Sequence, residues 1–523
     1  MKNKNFFFQF LNKIILIIPI LIVLIYYFNL PILDVDALAY HLFTVRLIEE
    51  NIFFFFQRLN INIGSSLGYE MSIFYPNLYS YLIYIVKKIT YFDLYKSSYV
   101  FSFLLYLFSL ILIKNDIKKI YFAIYILVPA NFSSLLISGN NYFLAAFLIF
   151  VLFVLFYEKK NIFIIFLVSL FLINTHILMP YIISILFFFE IFFERNKKNR
   201  KIKLIALYFL IIFINLFTNY HTTGSITFPF LQSVFPNNDY NPNSWNIILE
   251  HLERSIFNAD QYANINFKIV YFALPILLSL SVVLDKNLSK KIKSIFLLII
   301  LPSIFFYKFG FRHRIIFLTS SFLIFCYIIN LKSVAEIYLD KINKILKQTY
   351  LQILILLPII LLLTFKAVNL PTMEKNKIKK EENYYNRIIN NYISNNHYFK
   401  YTFYKILDDL SKQNKILYTE IPVAIVQNYK NLINPLSYID QINSFKTYDE
   451  FYNFLKEYEF NYLTHTPLSS NNPFNVKYPH IKFLDDLVKN KKLKILINLE
   501  NESLSQQKEL EEFDTNWIIY EVE

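Results

Sequence analysis

An acidic pair lies beside an apolar run early in the chain, in the segment LPILDVDALAYHL. The apolar run ends at Leu33, and Asp34 and Asp36 follow it. A helix that starts at Asp36 would place Tyr40 on the same face, four residues on. A carboxylate here could take a proton from a hydroxyl or hold a cation. It could equally cap the helix, because an aspartate oxygen accepts hydrogen bonds from the free N–H groups of the first turn.

A basic cluster occurs much later, within FYKFGFRHRIIF. It consists of Lys308, Arg312, His313 and Arg314. Arginine binds a phosphate through two parallel hydrogen bonds, so the cluster predicts a phosphate-binding site. The alternative is that these long side chains reach lipid headgroups from the end of a membrane helix.

Polar residues also interrupt two apolar segments. Asn140 and Asn141 lie in SGNNYF, and His176 lies in NTHILMPY. Polar groups near the edge of an apolar segment often face a cavity, which makes these three residues candidates for substrate binding. Turn chemistry explains the asparagines equally well, and a packing role explains the histidine.

These residues must be positioned by apolar elements. Of 523 residues, 56% are hydrophobic and 19% aromatic. Apolar runs near bilayer-spanning length recur up to residue 366. The fold class predicted is mainly α, a multi-pass transmembrane helical bundle of about eleven helices. The predicted spans are 14–30, 98–113, 120–138, 142–157, 161–175, 178–193, 204–219, 267–285, 294–309, 315–331 and 350–366.

The positive charge orients this bundle. Lys and Arg cluster in alternate segments, which are predicted to be cytoplasmic together with the N-terminus. Topology then explains the net charge of +14 without nucleic acid. Residues 31–97 become a long first outer loop, in which 76–90 forms an amphipathic juxtamembrane helix. The chain is predicted to be an integral, multi-pass protein of the plasma (inner) membrane.

The composition changes after residue 366. A polar segment is followed by short strand patterns in KILYTEI, FNYLTHT, KLKILINL and NWIIYEV, with a helix pattern in YDEFYNFLKEY. This order predicts a small α/β domain on the outer, periplasmic face. The predicted domains are therefore 1–366, which carries the catalytic site, and 367–523. One cysteine, Cys326, offers neither a disulfide nor a zinc site.

The motifs and their order resemble the GT-C superfamily of integral membrane glycosyltransferases, which includes protein O-mannosyltransferases and aminoarabinose transferases. DVDALAYHL resembles the acidic motif of the first outer loop, YPNLYSYLIYIVKKI the juxtamembrane helix, and FRHRIIFLTSSFLIF the late basic motif. LVPANFSSLLISGNNYFLAAF is similar to the third helix and second outer loop. Some relatives carry metal-binding acids in that loop. This chain has Asn140 and Asn141, which favours the metal-independent type.

The resemblance implies transfer of a sugar from a polyprenyl-phosphate donor to a hydroxyl of a lipid, glycan or protein acceptor, with inversion and no required cofactor. Asp36 would be the base, and Tyr40 and His41 would orient it or the sugar. The role of Asp34 stays open, and a divalent metal at the two aspartates is not favoured.

The same resemblance implies that Arg312 and Arg314, with Lys308 and His313, hold the donor phosphate. The partners would be the lipid-linked donor, the acceptor and membrane lipids, with no nucleic acid. The alternative function is a transporter or flippase, or a polymerase, for lipid-linked glycans. Transporters usually carry polar residues deep in several spans, whereas here the polar features gather at the outer boundary.

Overall fold

The structure, a computed structural model, divides into two compact units. It describes residues 16–22, 24–25, 27–28, 41–53, 77–113, 116–127, 135–136, 139–157, 161–176, 179–193, 198–223, 358–364, 398–418, 431–433, 435–465, 480–500 and 516–523. The first unit comprises Met1–Ile32, Pro76–Asn215 and Ala259–Glu374, and the second comprises Leu33–Tyr75, Leu216–Asn258 and Lys375–Glu523. The predicted domain boundary at 366 lies outside the described residues.

The described residues between 42 and 223 are mainly helical. The helices are α1 (Leu42–Glu50), α2 (Leu78–Thr90), α3 (Leu94–Leu112), α4 (Asp116–Leu127), α5 (Tyr142–Tyr157), α6 (Ile162–Ile173), α7 (Met179–Phe193) and α8 (Lys198–Thr223). Helix α1 belongs to the second unit, and α2 to α7 belong to the first.

The predicted bundle of about eleven membrane-spanning helices is wrong. Within the described ranges, two helices are long and apolar enough to cross a bilayer, Leu94–Leu112 and Lys198–His221. The others are too short, because α4 and α6 have 12 residues each, α7 has 15 and α5 has 16. A full crossing takes about 20 residues.

The error arises because hydropathy marks apolar stretches but not the points where a helix ends. Of the span predicted at 120–138, residues 120–127 belong to α4, which ends at Leu127, two residues before Pro129, and 135–136 are also described, as helix. A proline ring disfavours helical geometry in the residue that precedes it. Three other predicted spans, 267–285, 294–309 and 315–331, lie outside the described residues, and 350–366 is described, as helix, over 358–364.

Helix α2 is the helix predicted at 76–90, and it packs on α3. The buried Tyr79 hydroxyl shares a hydrogen bond with the Ser98 hydroxyl at 3.1 Å. The Tyr79 ring lies edge-on to Phe101, with 5.6 Å between centroids. Tyr91 ends α2 in the left-handed region at φ 57°, and the Asp93 side chain caps α3. This tight turn holds the two helices side by side.

The second unit contains a five-stranded mixed sheet. Its elements are α9 (Tyr398–Ser411), β1 (Lys415–Leu417), β2 (Leu432–Ile433), α10 (Ile439–Ser444), α11 (Tyr448–Glu457), β3 (Phe460–His465), α12 (Ile481–Lys489), β4 (Leu493–Glu500) and β5 (Asn516–Val522). The strand order is β2-β1-β3-β5-β4. Strand β1 is parallel to β2 and β3, and β5 is antiparallel to β3 and β4. The four strands and the helix predicted for this region are all present.

Helices α11 and α12 pack together against this sheet. Phe451 and Phe483 stack with 5.3 Å between ring centroids, and Leu463 of β3 is fully buried in the same core. Helix α11 begins with a capping box, in which Thr447 and Glu450 each accept a hydrogen bond from the other's backbone N–H. Two free donors of the first turn are satisfied in this way, so the sequence itself fixes the helix start.

Candidate functional site at three helix ends

The predicted base and the predicted phosphate site cannot be placed by the structure. Their residues lie outside the described part of the chain: Asp34, Asp36, Tyr40, Lys308, Arg312, His313 and Arg314. Four predicted site residues are described, and three of them come from segments that meet in the first unit.

The fourth, His41, lies in the second unit, immediately before α1, and is buried. Burial lowers the pKa of His41 to about 4. The imidazole is therefore neutral at pH 7 and cannot offer a positive charge to a phosphate there. A neutral imidazole can still orient a neighbouring group by hydrogen bonding.

Asn140 and Asn141 form the entry to α5, and both are buried. Gly139 precedes them with φ 72°, a left-handed conformation that glycine adopts at little cost. The Asn141 carbonyl accepts the N–H of Ala145 at 3.0 Å and so starts the helical hydrogen-bond pattern. Its side chain points to another segment, because Asn141 Nδ2 donates to the carbonyl oxygen of Thr175.

Thr175 lies in the turn between α6 and α7. Its hydroxyl donates to the Phe171 carbonyl at 2.9 Å, and its N–H donates to the Leu172 carbonyl at 3.0 Å. The half-buried His176 follows, and its carbonyl accepts the Met179 N–H at 2.9 Å, which begins α7. Both neighbouring helix ends thus hold the turn in place.

The beginning of α2 meets the same turn. Leu78 N–H donates to the Asn174 carbonyl at 2.9 Å, and Asn77, just before it, is buried. We call the meeting of residues 77–78, 139–141 and 174–176 the helix-end junction. Its three segments come from separate parts of the chain, and each lies at the end of a helix. Helix ends that are bonded together in this way hold polar side chains rigidly.

The helix-end junction carries amide, hydroxyl and imidazole groups and no acidic residue. Asn141 Oδ1 is fully buried, and no hydrogen bond reaches it from any residue that the structure describes. A buried acceptor without a donor is costly, so this atom is suited to receive a donor from a ligand. Across the described ranges, no group of three or more His, Cys, Asp or Glu could hold a metal.

Sequence reasoning identified Asn140, Asn141 and His176 as candidates but missed the contribution of α2. The signal available was Asn77 directly before an amphipathic helix, a residue type favoured at helix starts. The carbonyl groups of Asn174 and Thr175, which make the connections, are backbone atoms and carry no side-chain signature.

A comparison with protein-family models finds no matching family, and a comparison with curated proteins finds no significant match.

Proposed function

We propose that this protein is a membrane glycosyltransferase that moves a sugar from a polyprenyl-phosphate donor to a hydroxyl acceptor on the outer face of the membrane. The observation that carries the proposal is the helix-end junction. It joins Asn141 to the turn that holds His176, and it leaves a buried, uncharged acceptor atom for a ligand. Such neutral polar groups suit sugar hydroxyls.

A second observation supports a membrane setting. Helix α8 is mostly apolar from Leu204 to Phe217 and largely exposed, and its first turns carry Lys198, Arg200, Lys201 and Lys203. A helix of this kind suits hydrocarbon along its length and headgroup phosphates at its basic end.

The proposed reaction is an inverting displacement. Asp36 accepts the proton of the acceptor hydroxyl, whose oxygen attacks the anomeric carbon of the sugar. The bond from that carbon to the phosphate oxygen breaks, and the polyprenyl phosphate leaves with the electron pair. Arg312 and Arg314 stabilise its charge. The residues of the helix-end junction would hold the sugar hydroxyls.

The decisive experiment is a transfer assay in membranes with radiolabelled polyprenyl-phosphate sugars. Asp36→Asn should lower the transfer rate about 10²–10⁴-fold, the usual contribution of a general base. Asp485→Asn makes the same chemical change on an exposed position of α12 and should leave the rate unchanged. Full activity of Asp36→Asn would exclude the assigned base. Arg312→Ala should weaken donor binding.

One observation favours the second candidate, a transporter of lipid-linked glycans. Glu190 is buried within the apolar helix α7. Ionisable residues within apolar helices commonly mark transport pathways. Vesicles containing the purified protein separate the two functions, because a transporter moves the lipid-linked sugar across the bilayer without making a new glycosidic bond.

A further inference from the structure

The orientation of the Asn141 carboxamide is fixed by its partner. Its Nδ2 group donates to the Thr175 carbonyl, and that oxygen can only accept. Turning the amide over would place Oδ1 against another acceptor, which is repulsive. The side chain therefore presents one kind of atom to any ligand, the acceptor Oδ1, which is fully buried and receives no hydrogen bond from the described residues.

We infer that Asn141 Oδ1 accepts a hydrogen bond from one hydroxyl of the donor sugar, and that the sugar's phosphate lies away from the helix-end junction. This inference rests on the proposed function and specifies how its substrate is oriented. A phosphate oxygen is an acceptor and would be repelled by Oδ1, whereas a hydroxyl has the proton that Oδ1 lacks.

A hydroxyl also fits better than an ammonium group. The helix-end junction contains no acidic residue, and a buried ammonium without a countercharge is strongly unfavourable. The ligand group that donates a hydrogen bond to Asn141 Oδ1 is therefore neutral. A site built in this way distinguishes sugars that carry the hydroxyl from those that lack it, because loss of the donor leaves the acceptor unsatisfied.

The test is a series of donor analogues. Polyprenyl-phosphate glucose, mannose and galactose are assayed first, and the donor that is transferred is then compared with forms lacking one hydroxyl each. In the wild-type protein, removal of one particular hydroxyl should lower kcat/KM about tenfold. In Asn141→Leu the parent sugar should lose a similar factor, and removal of that hydroxyl should then have no further effect.

This loss of sensitivity distinguishes recognition from a structural role, which would lower the rates for all donors alike. Asn490→Leu, the same change at an exposed position after α12, should keep the wild-type response to every analogue. If transfer occurs but no hydroxyl matters in the wild type, the Asn141 inference is wrong and the proposed function stands. The same conclusion follows if every hydroxyl still matters in Asn141→Leu.

If no donor is transferred, the proposed function fails and binding decides the inference. The same donors are then added to the purified protein in detergent, and the melting temperature is measured. A rise in Tm that disappears on removal of one hydroxyl, and is absent in Asn141→Leu, supports the inference. If none of the donors raises the Tm of the wild-type protein, the inference about Asn141 is wrong. This result is expected if a water molecule alone hydrogen-bonds to Oδ1.

Discussion

The two units of this chain use apolar side chains in opposite ways. In the second unit Phe451, Leu463 and Leu487 are fully buried between helices and sheet. In the first unit, the part of α8 up to Asn215 leaves large side chains outside, and Phe209 and Phe213 are 65% and 64% exposed. The closed core of the second unit suits a water environment. The exposed apolar side chains of the first unit suit a hydrocarbon environment or another apolar partner.

Local sequence signals follow the same division. Helix α11 has a polar capping box and one buried face, as a helix at a water-facing surface should. The helices α5 and α6 are apolar nearly all round, with no charged residue in either. A helix of that kind must be covered on all sides. The chain thus contains helices of two kinds, one with a single apolar face in the second unit and others that are apolar nearly all round in the first.

The strongest test of this contrast is removal of a large side chain in each unit. Phe451→Ala should destabilise the second unit by about 3–5 kcal/mol, because it leaves a cavity among packed rings. Hydrogen exchange of the β3 and β5 amides in the whole protein measures this loss. Phe213→Ala removes the same atoms from an exposed position and should change stability by about 0.5 kcal/mol or less. Equal losses of stability in Phe451→Ala and Phe213→Ala would show that the two units do not differ in how they use apolar side chains.

A charge on the exposed side of α8 tests the proposed solvent. Phe209→Arg, near the middle of the helix, should oppose membrane insertion by about 2.5–3.5 kcal/mol in a glycosylation-mapping assay. Ile202→Arg, also exposed but near the basic end, should cost much less, since its side chain can reach the headgroups. Equal tolerance of both changes would argue for a water-facing helix or a protein partner.

The smallest expected effect is a pH dependence in the second unit, about 2 kcal/mol from His480 between pH 7 and pH 5. Burial, with a smaller contribution from His465, lowers the pKa of His480 to about 3. The unfolded chain binds this proton near pH 6.5, so the stability contributed by neutral His480 is complete above pH 6.5 and declines below it. The slope should approach about 1.4 kcal/mol per pH unit between pH 6.5 and 3.

Hydrogen exchange of β3 at pH 7 and pH 5 measures that slope. His480→Phe, which replaces the imidazole beside Phe451 with an apolar ring, should lower the slope by about 1.4 kcal/mol per pH unit even if it alters stability at pH 7, while the contribution of His41 remains. An unchanged slope in His480→Phe would assign the whole pH response to other groups.

The sequence predicted the α/β elements better than the membrane elements. The helix YDEFYNFLKEY and four strands were identified because periodicity and turn residues mark them locally. Strand β2, only Leu432–Ile433, was missed because it is defined by pairing with β1. The spans were overcounted because apolar composition does not report helix length.

The candidate site was partly predictable for similar reasons. Asn141 and His176 stand out as polar residues in apolar surroundings, and both belong to segments that meet. The hydrogen bond from Asn141 to the Thr175 carbonyl could not be predicted, since a backbone oxygen is common to every residue and only the tertiary fold selects one.

The strand order has a consequence for synthesis of the protein. Strand β5 lies between β3 and β4 although it comes after both in the chain. Until Asn516–Val522 leave the ribosome, β3 keeps an unpaired edge and β4 has no neighbour in the sheet. The helices of residues 78–223 emerge much earlier, so they can form while the sheet is still incomplete. Translation thus completes the helices of residues 78–223 before the sheet of the second unit can close.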